Sequence, residues 1–105
     1  MTDATQDQTQ EQTQFIRNAM PLCATLGMTA ATMSPEVVSL ALEWREELCT
    51  SNGMLHGGAV MALADAAGGT CAFLNLPVGA VGTSTIESKT NFLGAVRSGS
   101  IVASA

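Results

Sequence analysis

The chain has 105 residues, enough for one small domain, which excludes a two-domain architecture, a repeat array and a large cofactor cradle. Hydrophobic residues make up 47% and charged residues 12%, a balance of packed globular chains and not of disordered ones. Four Lys plus Arg against nine Asp plus Glu give a formal charge of −5, and the absence of any basic cluster argues against a nucleic-acid-binding surface.

Residues 1–14 (MTDATQDQTQEQTQ) are Thr, Gln and three acids with almost nothing apolar to offset the entropy of ordering. A disordered tail is expected there, with the folded domain spanning 15–105. Phe15, Ile16, Ala19, Met20 and Leu22 recur at helical spacing up to Pro21 and Gly27, predicting a short N-terminal helix. Two strand-like runs follow, 28–33 and 37–44, joined by Ser34-Pro35-Glu36, a turn signal that predicts a hairpin. In the second run Val38, Leu40, Leu42 and Trp44 share one face.

The polar stretch 46–58 (EELCTSNGMLHGG) gives way to a run of good helix formers with apolar residues on all sides, which predicts a central helix over about 57–74 enclosed by other structure. Strands are expected at 80–93 and, beyond the turn at Arg97-Ser98-Gly99, at 100–104. The order helix, hairpin, buried helix, two strands predicts an α+β fold in which a curved antiparallel sheet wraps one helix. The low-charge run 57–76 is interrupted by Asp65 and Gly68-Gly69, whereas a membrane span needs roughly 20 predominantly apolar residues, so no span is expected. An odd number of cysteines, Cys23, Cys49 and Cys71, without a leader-like start reads as free thiols in a reducing cytoplasm.

Asp65 is the one charged side chain between His56 and Glu87. A carboxylate in a helix without a polar face is expected to be partly desolvated, with a raised pKa, suited to act as a general base or to orient water. The alternative is a carboxylate that hydrogen-bonds nearby backbone. His56-Gly57-Gly58 opens the same helix, where first-turn N–H groups lack intrahelical partners and can bind an oxyanion or polarised carbonyl; the alternative is an ordinary turn with a surface histidine. Eight residues separate Gly57 from Asp65, about 12 Å along the axis, so one helix cannot bring both to one carbonyl, while two antiparallel copies about a twofold axis can. A Cys49–His56 nucleophile pair has no spacing that fixes its geometry. One His with three dispersed Cys supplies no zinc site, and the glycine fingerprints of phosphate and dinucleotide binding are absent; no metal or cofactor is expected.

With Asn52-Gly53-Met54-Leu55-His56-Gly57-Gly58-Ala59, then Leu63-Ala64-Asp65, Thr85-Ile86-Glu87, Asn91-Phe92-Leu93 and Gly99, the chain resembles the PaaI-like hotdog-fold acyl-CoA thioesterases over about 27–105. The resemblance implies a long helix wrapped by an antiparallel sheet and a homodimer, or dimer-of-dimers tetramer, with sites between subunits. It implies hydrolysis of acyl-CoA, with Asp65 orienting or activating water and the Gly57 N–H polarising the thioester carbonyl. His56 would lie near the leaving thiolate, and Thr85 would help hold the water. The family frequently has Asn six residues before the His. Here that position is Thr50, with Asn52 two residues on, so Thr50, Asn52 and Gly58 are the substrate-binding candidates. Family members usually continue past residue 105 through further strands, so the chain reads as a truncated form whose last strand has an unpaired edge. A binding module without turnover and a purely structural domain are the competing readings.

Overall fold

The computed structural model of the protein describes residues 4–105. Helix α1 (Ala4–Ala19) and a short α2 (Pro21–Leu26) lead into the hairpin of β1 (Thr29–Met33) and β2 (Val38–Glu43). Two 3₁₀ turns, Glu46–Leu48 and Ser51–Gly53, precede α3 (Gly57–Leu74), and β3 (Ser100–Ser104) closes the order. The sheet is antiparallel, with β2 between β1 and β3.

The hairpin follows the alternation in its sequence. Val38, Leu40 and Leu42 are all but fully buried, and Ala30 of β1 pairs with Leu40. Ser34 closes the turn, its N–H and hydroxyl both bonded to the Val37 carbonyl. A register shift between Ala30 and Thr32 marks a bulge, which bends and twists the strand. The core joins Ile16 of α1, Cys23 of α2, Met28, the inner face of β2 and Leu63, Ala66 and Ala67 of α3.

Three expectations fail here. The disordered tail is helical from Ala4, the first three residues lying outside the described ones. Its order comes from one flank: the Thr13 hydroxyl accepts the Ala30 N–H at 2.9 Å, Arg17 Nε donates to the Met28 carbonyl at 2.8 Å, and Ile16 is buried. A helix with little intrinsic stability is held by tertiary packing, which composition alone does not reveal. The strand expected over 80–93 is absent. Val81, Ile86 and Leu93 are almost fully exposed, and a β-forming segment becomes a strand only where a neighbour accepts its backbone hydrogen bonds. Finally, α3 is not enclosed on all sides. Ala59, Leu63, Ala66, Ala67 and Thr70 are buried while Asp65 and Gly68 are exposed. Among the described residues α3 is the one helix with the length and apolar composition of a membrane span, and here its inner face packs on β2.

Gly68 and Gly69 sit in mid-α3, where each glycine weakens a helix by about 1 kcal/mol relative to alanine. A β-carbon added at either would meet nothing within 4 Å, so no protein packing requires them.

Candidate active site

The helix start is built by its own sequence. His56 is the N-cap of α3, and its Nδ1 accepts the Gly58 N–H at 2.8 Å, satisfying one of the orphan donors of the first turn. The accepting nitrogen is unprotonated, so the ring proton resides on Nε2. The His56 carbonyl accepts from Ala59 and Val60, and no acceptor among the described residues is bonded to the Gly57 N–H.

Both glycines are close approaches. A β-carbon on Gly58 would lie 2.9 Å from His56 Nδ1, and one on Gly57 would lie 3.2 Å from the Phe92 ring. The His-Gly-Gly signal therefore encodes a cap that needs room for an imidazole on one side and a phenyl ring on the other.

Asp65 lies two turns further on, about 12 Å along the axis. It is exposed, so the expected burial among apolar neighbours does not occur: α3 buries its inner face, and Asp65 stands on the rim. Its partner comes from the segment expected to be a strand. Thr85 Oγ1 donates to Asp65 Oδ1 at 2.7 Å, leaving the second carboxylate oxygen for another donor. The same segment runs back along α3, bringing Phe92 to Gly57 and the Val96 carbonyl to the Leu55 N–H at 2.9 Å.

Asp65 and Thr85 border a half-open cavity of about 740 Å³, within the size of small-molecule sites. Its walls are largely apolar, contributed by Phe15, Leu22 and Cys23 on one side and Ala66, Gly69 and Phe73 on the other. Burial pushes the Cys23 thiol up from its ordinary range, and the nearby Arg17 guanidinium partly offsets this. A second cavity of about 320 Å³ lies at the helix start, bordered by His56, Gly58 and Cys49, with Leu22 and Ala62 common to both. Cys49 Sγ donates to the Arg45 carbonyl. Asp65 and the His-Gly-Gly end thus face different cavities of one chain.

Thr50 and Asn52 border neither cavity. They belong to a tight turn in which the Thr50 N–H donates to the Met54 carbonyl and Asn52 and Gly53 both take positive φ, 65° and 71°. The Asn52 carbonyl accepts from Arg97 Nη1 at 3.0 Å and the Gly53 carbonyl from Trp44 Nε1 at 2.9 Å. The Gly58 N–H, engaged by His56, is likewise not free. Sequence reasoning missed the wall supplied by α1 and α2 and the Phe92 contact. The exposed Phe15 and Leu22 lie in the helical pattern, but nothing local shows which way that pattern faces.

The model of the thioesterase superfamily matches residues 52–105, more than half of the chain. The chain belongs to the thioesterase superfamily. The matched span holds His56, Gly57, Gly58, Asp65 and Thr85. Among solved structures, a thioesterase from Pseudomonas aeruginosa superposes with a TM-score of 0.78 at 21% identity, covering 88% of this chain and 68% of its own. A thioesterase family protein from Silicibacter pomeroyi gives 0.76 at 29% identity, covering 90% and 68%. The phenylacetic acid degradation protein PaaI from Thermus thermophilus gives 0.67 at 24% identity, covering 80% and 70%. The fold is that of the PaaI-like hotdog thioesterases, a long helix against a curved antiparallel sheet, and the chain spans about two thirds of the first of these structures. No curated protein matches it in sequence.

Proposed function

We propose that the chain hydrolyses acyl-CoA thioesters to a free acid and coenzyme A, with Asp65 as the carboxylate that orients and deprotonates water. The observation that carries this reading is the 2.7 Å hydrogen bond from Thr85 to Asp65 at the border of the 740 Å³ cavity. A hydroxyl fixing one carboxylate oxygen leaves the other to receive a water proton, the geometry general-base catalysis needs. Water oxygen adds to the thioester carbon, its proton passing to Asp65. The C–S bond then breaks, and the proton is delivered to the departing sulfur. The apolar cavity takes the acyl group.

Carbonyl polarisation falls to the Gly57 N–H, the first-turn donor left without an acceptor, at the positive end of α3. At about 12 Å from Asp65 on the same helix it serves a second copy's Asp65, so the working unit is a homodimer with two composite sites, alone or paired into a tetramer. His56 stands beside Gly57, where a thiolate leaves. A cytoplasmic setting suits the free thiols. Asp65→Asn keeps the shape and removes the base, and it is expected to lower kcat by about 10²-fold or more on an acyl-CoA panel followed by release of free thiol. Hydrolysis at the parent rate would leave a binding module whose carboxylate is structural.

A further inference from the structure

Thr70 differs from Thr9 and Thr25, two other threonines within helices. Thr9 and Thr25 donate their hydroxyls to the carbonyls of Thr5 and Pro21, four residues back, the usual resolution for a helical threonine. Thr70 is only 6% exposed, and its Oγ1 has no hydrogen-bond partner among the described residues. A buried hydroxyl without a partner is unfavourable and calls for one from outside the chain.

Thr70 borders the cavity that Asp65 and Thr85 also border, among Ile16, Cys23, Met28 and Ala66. Of the hydroxyl-bearing residues on this cavity, Thr83, Ser84 and Thr85 lie at its exposed border, whereas Thr70 is buried among apolar side chains. Beside it, Gly68 and Gly69 leave space that no protein atom fills. The orphaned hydroxyl and the room next to it point to a ligand group that enters this space and hydrogen-bonds there.

We infer that Thr70 determines specificity, selecting an acyl group whose far end carries a neutral hydrogen-bonding substituent, a hydroxyl or a carbonyl, over a plain hydrocarbon. This rests on the reading of the cavity as the acyl pocket. Neutrality follows from the surroundings of Thr70: a charged terminus of either sign would lose its hydration among Ile16, Met28 and Ala66, and the carboxyls Asp65 and Glu87 on the same cavity further disfavour an anion. The reach follows from the helix. Five residues separate Asp65 from Thr70, about 8–9 Å between their α-carbons. With carbon–carbon bonds of about 1.5 Å advancing an extended chain by roughly 1.25 Å each, six to eight carbons bring a terminal oxygen to Thr70.

The test compares ω-hydroxyacyl-CoAs of six to ten carbons with plain acyl-CoAs of equal heavy-atom count, on the parent chain, Thr70→Val and Thr70→Ser. The parent is expected to favour the hydroxylated member about tenfold in kcat/KM at its best length. Thr70→Val, which keeps the shape, should abolish that preference by lowering kcat/KM for the hydroxylated substrate toward that of its plain counterpart, and Thr70→Ser should retain it. Dissociation constants of the corresponding free acids, by calorimetry, should show the same order. Thr70-dependent acid binding without turnover of any thioester would overturn hydrolysis and keep the pocket assignment. Turnover without a hydroxyl preference at any length, or a preference that survives in Thr70→Val, would overturn the role of Thr70 and leave hydrolysis standing.

Discussion

A carboxylate on an exposed helix rim becomes useful only when something fixes its orientation, and Thr85 does that for Asp65. A hydrogen bond to a charged group is worth about 1.5–3 kcal/mol, and each 1.36 kcal/mol is tenfold in rate. Thr85→Ala is therefore expected to lower kcat by about 10- to 100-fold with little change in KM, and Thr85→Ser to restore most of it, in steady-state assays. The cysteines make a second residue-level expectation. Only the thiolate reacts with alkylating reagents, and burial holds the Cys23 thiol protonated to higher pH than usual. Mass spectrometry after iodoacetamide treatment at pH 8 should find Cys49 and Cys71 modified before Cys23. The linkage has a definite sign: a thiol raised by folding contributes stability that is present below its ordinary value of 9.0 and is lost as pH rises beyond it, so Cys23→Ala should flatten the alkaline end of the stability profile.

Among the elements, α3 carries two pairs of glycines with opposite meanings. Gly57 and Gly58 are crowded by Phe92 and His56, whereas Gly68 and Gly69 face open space. Gly58→Ala forces the capping imidazole aside and should cost about 0.5–2 kcal/mol. Gly69→Ala should instead stabilise by about 1 kcal/mol while lowering kcat/KM for the longest acyl groups, the trade expected where space is kept for function. Urea unfolding midpoints separate the two. The extents of α3 and the hairpin were legible because their periodicities are local and unbroken. The order of α1 was not, since it depends on Thr13 meeting Ala30 and Arg17 meeting Met28, contacts that cross 17 and 11 residues of chain. The 80–93 segment misled for the converse reason: its residues suit a strand, but the strand state needs a neighbour that local sequence does not supply. The same split holds at the site. His56, Gly57 and Asp65 stand out by type and spacing, while Thr70 looks like any helical threonine until its missing partner is seen.

At the scale of the whole molecule, the distance between Gly57 and Asp65 asks for two copies. Mixing Asp65→Asn with Gly57→Pro tests this, since proline removes the donor N–H at a helix position that tolerates it and Gly57→Ala controls for crowding of Phe92. Each variant alone should be inactive, and subunit exchange should restore about a quarter of the parent activity if exchange is random, because half the dimers then carry one intact site of two. Mixed dimers verified by native mass spectrometry yet lacking hydrolysis would exclude a shared site. The sheet adds a constraint of its own. On its β1 side, Thr13 occupies the N–H of Ala30 and Arg17 the carbonyl of Met28 just before the strand, so a strand added there must displace side chains of α1. In the language of polymer chemistry α1 acts as a chain stopper laid along one growing end: its side chains hold bonding sites that an added strand would need, and Thr13→Val with Arg17→Met should make that edge more prone to self-association.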